Sequence, residues 1–507
     1  MNFEVITYIV LPNLVGYLLQ TVFSGHPGSD HYYHLKLVTE IKSNSYKFLK
    51  NNPVIQNEKN FCYPHLYHWI LSFLPLNFLE NSTKSIYIGE RIIEFICFNS
   101  FLLFFSSEIN FIPIDYLSAN IIFNLFPFSY STWNAKNSGL SCRGIGLIAG
   151  QIYLYLIFAY IFTEFLVLLL FLFLIITAIF KLSQITYQFV LLSIIPISIY
   201  FSIYEILLLP VASIFFLYLI SSEITLSFLK GQYYHKKNYA LYMAKIFIHK
   251  ARPSIYLDFV YDFWKKLRKD LIKGIYYIYR NPLLEVFYGF IFLWPTIFYV
   301  NNFNSNIFQV IMGIIYVGLF CFFITSFKLT RFLGEPQRYM EFTIPFIVIV
   351  FIKIFEINSL IYITFLTFSL LMIICAKILT KIEQKSKAKI DRAELLEFLK
   401  NRRTDIEEVC VSNDSEILKF LPIYNYRVVR VDYTIPYKNG NDFYSNFNDN
   451  LMIFSDKAIR NLIENFKPNL FIYNKSIRED NSPKIESIIK SYRVVRRLTK
   501  YEVFELK

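Results

Sequence analysis

Glycine is scarce in this chain, 15 in 507 residues, and cysteine is scarcer, at six. The stretch 390–507 holds a single glycine, Gly440. It lacks the glycine-rich turn that cradles nucleotide phosphates, which argues against nucleotide binding there. Cys62, Cys97, Cys142, Cys321, Cys375 and Cys410 show neither CxxC nor metal-type spacing, and several lie within apolar runs. That pattern does not support a disulfide framework. No Lys or Arg precedes Lys36, and no small-x-small site follows the first apolar run. The run is therefore expected to stay as a helix rather than to be cleaved as a secretory signal. Internal repeats and matching pairs of broken apolar segments are also missing, which counts against a transporter built from repeated halves.

Apolar residues dominate what remains. The chain is 55% hydrophobic and 19% aromatic, with a mean hydropathy of +0.40. Apolar runs recur as far as Leu379 at a length that crosses a bilayer. The expected spans are 3–23, 64–79, 89–107, 112–131, 145–163, 165–180, 187–204, 206–221, 284–300, 307–327, 342–357 and 359–379. This predicts an all-α membrane fold of about 12 transmembrane helices with a long first extracytoplasmic loop, followed by a small C-terminal α/β domain. The domain boundaries are 1–382 for the membrane part, 383–389 for a polar linker and 390–507 for the tail.

The net charge is +13, and residues 1–382, with 28 basic and 19 acidic groups, supply +9 of it. Loops of this kind suit anionic lipid headgroups, so nucleic acid is not the expected partner. With both termini cytoplasmic, the inner loops hold most of the membrane part's Lys and Arg, 12 of them in 222–283. The outer loops hold five, all in 24–62. This is the positive-inside bias, although the lysines that follow the first span run against it. Tyr261–Arg280 interleaves Trp264, Leu267, Leu271, Ile275 and Ile278 with basic residues and reads as an amphipathic helix in the interface.

In the tail, periodicity predicts helix 391–402, strand 407–412, helix 414–422, strand 426–433, helix 455–466, strand 469–474, helix 482–491 and a strand pair within 492–506. Strands alternating with helices suggest a partly parallel sheet. Its expected role is to stabilise the protein or dock a partner.

The chemistry-bearing residues cluster early. Asp30 follows the first span, and five of the seven histidines, His26, His31, His34, His65 and His68, lie in the first loop or at its exit. If 31–42 is helical, Asp30 and His34 share a face, and His65 and His68 point together at i,i+3. A divalent metal held by Asp30, His34 and one later histidine is conceivable, while plain hydrogen bonding is the commoner use of such imidazoles. Capping the helix that follows is the structural alternative for Asp30. Gly334, Glu335, Arg338, Tyr339 and Glu341 form a second group, in which Glu335 and Arg338 can pair at i,i+3 and present a guanidinium to phosphate or simply close a loop. Before the fifth span, Arg143 stands among glycines that permit close backbone approach. Glu90, Glu94, Glu164 and Glu205 lie within or at the ends of apolar runs and are secondary candidates.

Asp30 after an apolar first helix, the entry Tyr63, Pro64, Tyr67 and Trp69, and the late Gly334–Glu341 segment together resemble the polytopic GT-C superfamily of glycosyltransferases. Protein O-mannosyltransferases and aminoarabinose transferases typify it, and the resemblance covers most of residues 1–345. It implies an enzyme that moves a sugar from a polyprenyl-phosphate carrier to an acceptor hydroxyl or amine on a lipid, glycan or protein, with inversion. On that reading the active site is extracytoplasmic and Asp30 is the general base, with His31 and His34 beside it. Tyr63, His65, His68, Arg143, Glu335 and Arg338 are then substrate-binding residues. His31 stands where many members carry a second acidic residue, which bears on metal use. The alternatives are a transporter or flippase of lipid-linked saccharides, and a polysaccharide polymerase or ligase, which would want a large late outer loop.

Overall fold

The structure is a computed structural model that describes residues 3–23, 29–50, 53–54, 64–81, 83–131, 140–238, 263–265, 267–268, 271, 274–275, 281–299, 305–327, 330–357, 359–384, 388–402, 408–418, 420–424, 426–428, 463, 467–475 and 492–506. In chain order its helices are α1 (Phe3–Phe23), α2 (Ser29–Ser43), α3 (Leu66–Ser72), α4 (Leu76–Asn81), α5 (Thr83–Phe104), α6 (Pro113–Asn124), α7 (Cys142–Thr163), α8 (Val167–Leu182), α9 (Gln184–Phe201), α10 (Leu209–Ile220) and α11 (Ser222–Asn238). Then come α12 (Pro282–Gly289), α13 (Leu293–Tyr299), α14 (Asn306–Ser326), α15 (Gln337–Met340), α16 (Ile344–Ile354), α17 (Leu360–Gln384), α18 (Ala388–Asn401) and α19 (Ser415–Leu418). The strands are β1 (Glu408–Ser412), β2 (Tyr426–Val428), β3 (Leu470–Asn474), β4 (Tyr492–Arg497) and β5 (Tyr501–Leu506).

The chain divides into two compact units. One is built from Met1–His26, Asn81–Ser222 and Arg252–Thr380, the other from Pro27–Glu80, Glu223–Ala251 and Lys381–Lys507. The tail expected to begin at 390 thus shares its unit with the first loop and with α11.

The first unit is a bundle of apolar helices. Among the described residues, Cys142–Thr163, Gln184–Phe201, Asn306–Ser326 and Leu360–Ile378 are long and apolar enough to cross a membrane. α12 and α13, bent by 72° at their junction, add a fifth if they form one broken span. Length and composition therefore support an integral membrane protein, in which four or five of the described helices reach spanning length against the twelve expected from the whole sequence. Shorter apolar helices, Phe3–Leu19, Val167–Leu182 and Tyr204–Ile220, accompany them. Lipid-embedded amides must be satisfied within the protein, and an asparagine ladder does this where α1 meets α5 and α6. Asn13 donates to Asn120 (2.7 Å), Asn124 donates to Asn13 (2.7 Å), and Asn99 and Asn120 exchange bonds of 2.9 Å.

The second unit centres on a five-stranded sheet of order β2-β1-β3-β5-β4. β1 is parallel to β2 and β3, while β5 is antiparallel to β3 and β4, which gives the partly parallel sheet expected of the tail. Helices 455–466 and 482–491, residues 429–433 and most of Tyr261–Arg280 lie outside the described residues. Asn413 bridges to the backbone of Asn474, and Asp414 accepts from Asn474 Nδ2 and from the Tyr501 hydroxyl, both at 2.9 Å, tying β1, β3 and β5 together.

The first loop is part of this core. Leu37 and Ile41, one turn apart on α2, are fully buried, and with Leu49 and Val54 they pack in one cluster with Leu395, Leu399, Val411, Phe471 and Val503. Val428 of β2 donates its N–H to the Val54 carbonyl at 3.2 Å, and the Tyr32 and Phe420 rings lie 4.8 Å apart. Burying two such side chains is worth roughly 3–6 kcal/mol against leaving them exposed. The exposed Lys50–Glu223 pair at 2.5 Å adds at most about 1 kcal/mol. Apolar burial therefore holds the segment to the sheet.

One correction follows. The run 64–79 does not form one long helix: it gives α3 and α4, a seven- and a six-residue helix that belong to the second unit. Pro75 lies in the break between them, and His68 and Ser72 are buried on α3. The C-terminal segments pack in one hydrophobic cluster with Leu37, Ile41, Leu49 and Val54 of the first loop.

In a cysteine-free background, Lys47→Cys and Thr499→Cys should react with an impermeant thiol reagent from the same side, because their segments share one core. Opposite labelling of positions 47 and 499 would overturn this packing.

Candidate functional site

The expected site residues fall into two groups, one in each unit. In the second unit, α2 and α3 bring four histidines into the interior. His31, His34, His65 and His68 are all buried, and His68 is fully inaccessible. His34 Nδ1 lies 2.8 Å from His68 Nε2 with the rings stacked, centroids 5.0 Å apart. One nitrogen of that pair must donate and the other accept. Phe48 packs edge-on against His65, with ring centroids 4.8 Å apart. α2 begins at Ser29, so Asp30 stands inside the first helical turn, where a carboxylate complements the helix dipole. Asp30's side chain and the whole of Tyr63 and His26 lie outside the described residues.

Burial governs the titration of these imidazoles. It lowers His31 to about 4. His68 lies well below the ordinary histidine value, through burial first and then through the charges of His34 and His65. Among the described residues no group of three His, Cys, Asp or Glu side chains stands ready to hold an ion.

The first unit contains the other group. Ser141 caps α7 by accepting from the Arg143 N–H at 3.4 Å, and Arg143 is half-buried in the first turn. The glycines that follow serve close packing. A Cβ on Gly144 would collide with the Glu90 carboxylate, one on Gly146 with Ser183 and one on Gly150 with the Phe342 ring. Gly334 turns the chain before α15 at φ +122°, a backbone region that favours glycine. The turn sets up the expected ion pair: Arg338 Nη1 lies 3.1 Å from Glu335 Oε2, both side chains being mostly buried. The Tyr339 hydroxyl anchors the segment by donating to the Leu333 carbonyl at 2.7 Å.

Several polar groups here carry no motif. Gln337 Nε2 donates to Glu285 Oε2 at 2.9 Å, deep in the bundle. Arg91 pairs with Glu94 one turn along α5, and Glu94 also accepts from Gln151 at 3.3 Å. Glu285 shows in sequence only as an acid inside an apolar run, the same signal that marked Glu90 and Glu94. Glu205 accepts from the Tyr160 hydroxyl at 2.5 Å, and Glu164 is an exposed left-handed residue that ends α7.

No protein-family model matches the chain, and no curated protein matches it. Among solved structures it is similar to ArnT from Cupriavidus metallidurans bound to undecaprenyl phosphate. The two are 9% identical over 98% of this chain and 97% of that one, with a TM-score of 0.49. A likeness that slight decides nothing about chemistry, which rests on the residues above.

The buried histidines make acid sensitivity a property of the second unit. An unfolded chain takes up protons on falling through about pH 6.5, while folded His31 stays neutral until about 4. Their stability is therefore complete above the unfolded value and is lost as pH falls between the two. Folding stability should fall across that window by at most about 1.4 kcal/mol per pH unit for each such imidazole, read as a falling thermal midpoint, and His31→Phe should flatten the slope. An equal slope in the variant would refute the assignment.

Proposed function

We propose that this protein is an integral-membrane glycosyltransferase that moves a sugar from a polyprenyl-phosphate carrier to an acceptor hydroxyl or amine. The observation that supports it most is the Glu335–Arg338 pair, mostly buried beside a glycine turn at the end of the apolar helix α14. A planar guanidinium held in place at a membrane boundary is suited to a departing phosphate. Arg143, at the start of α7, would serve the same leaving group. Asp30 would take the proton from the acceptor as its oxygen or nitrogen attacks C1. The C1–oxygen bond to phosphate breaks, its electron pair leaves with the carrier, and the anomeric centre inverts. His34, on the helix that carries Asp30, is hydrogen-bonded to the buried His68 of α3 and would hold that helix in place behind the base.

The reaction face is proposed to be extracytoplasmic. The long basic segments do not oppose this, since long loops translocate largely regardless of their charge. A second reading, a carrier of lipid-linked saccharide, draws on the 72° break between α12 and α13, since broken helices with polar groups mark transport paths. Purified protein given a panel of polyprenyl-phosphate sugars separates the two: a transferase releases carrier phosphate and a carrier releases none.

Asp30→Asn should leave expression and thermal stability near wild type while cutting sugar transfer by about two orders of magnitude or more. Transfer at the normal rate would reduce Asp30 to a helix-dipole role. Arg338→Lys keeps the charge but loses the fork, and should lower turnover at least about tenfold beyond any loss of folded protein. Unchanged turnover would leave the segment a packing element.

A further inference from the structure

A cavity of about 320 Å³ opens in the first unit where α1, α5 and α6 diverge. Val10, Leu14, Ile92, Phe95 and Phe123 give it apolar walls. Leu14 is 54% exposed and Ile92 50%, so its mouth opens onto the hydrocarbon-facing surface of the bundle. At its polar end lies Arg91, only 8% exposed. The guanidinium gives Nη1 to Glu94, while buried Nε and Nη2 have no hydrogen-bond partner. Nε and Nη2 together form the side-on edge that grips two oxygens of one oxyanion.

We propose that this cavity binds one membrane glycerophospholipid through its phosphodiester, with an acyl chain along the apolar wall. Charge selects the diester. Glu94 already balances the guanidinium, so a head with one negative charge suits the site better than the nearly dianionic monoester of a polyprenyl phosphate. Buried donors left unpaired are rare, and a phosphodiester satisfies both at once. None of the residues placed in the proposed reaction lines the cavity, and its test requires no sugar transfer.

Native mass spectrometry of the delipidated full chain, titrated with phosphatidylglycerol, reads the site directly. Wild type should bind one lipid that neither inorganic phosphate nor a polyprenyl phosphate displaces at equal concentration. Arg91→Lys keeps a cation for Glu94 and removes the fork, and should weaken binding about tenfold, the worth of one charge-assisted hydrogen bond. Ile92→Trp fills the mouth from an exposed position that the fold does not depend on, and should weaken binding to a similar degree even if the lysine variant fails to fold. Wild-type affinity in Ile92→Trp, or in a folded Arg91→Lys, overturns the proposal. So does displacement of the lipid by polyprenyl phosphate, which would make the monoester the occupant.

Discussion

The apolar contact between α2 and the C-terminal sheet is the constraint on which the architecture turns. Leu37 and Ile41 are buried in the same cluster as Val411, Phe471 and Val503. Its segments come from both ends of the chain, so contacts of long sequence separation hold the second unit together.

Within the bundle, polar groups are tolerated because they answer one another. An unpaired charge at bilayer depth is expensive, and the acids and bases here meet partners: Arg91 with Glu94, Arg338 with Glu335, Gln337 with Glu285. The glycines of α7 let this happen. By removing Cβ atoms they let the α8–α9 turn and the segment after α15 approach one face of α7 at Gly146 and Gly150, and α5 approach another at Gly144. The Arg143-Gly144-Ile145-Gly146 segment is thus a packing device as much as a binding one.

Much of this was legible in the residues. Composition and the length of apolar runs indicate a membrane protein. The alternation of strand and helix patterns after residue 390 anticipates the sheet, and i,i+3 spacing anticipates the Glu335–Arg338 pair. The segment 64–79 misleads because hydropathy counts apolar residues without asking where they pack. Tyr67 and Leu71 are as buried in α3 as they would be in a span. The Gln337–Glu285 pair carries no motif, since its partners lie 52 residues apart in sequence, whereas Arg91–Glu94 has the same i,i+3 spacing as Glu335–Arg338.

The sequence by itself determined the local terms: which stretches are apolar enough to leave water, where helices start and stop, and which short-range pairs can form. These depend on neighbours within one or two turns. Only the tertiary structure decided that the first loop, α11 and the tail form one unit and that His34 meets His68 across 34 residues of chain. Hydrophobic burial is non-directional and rewards any apolar surface that fits, so the choice of partner is a property of the assembled shapes and not of the pattern along the chain.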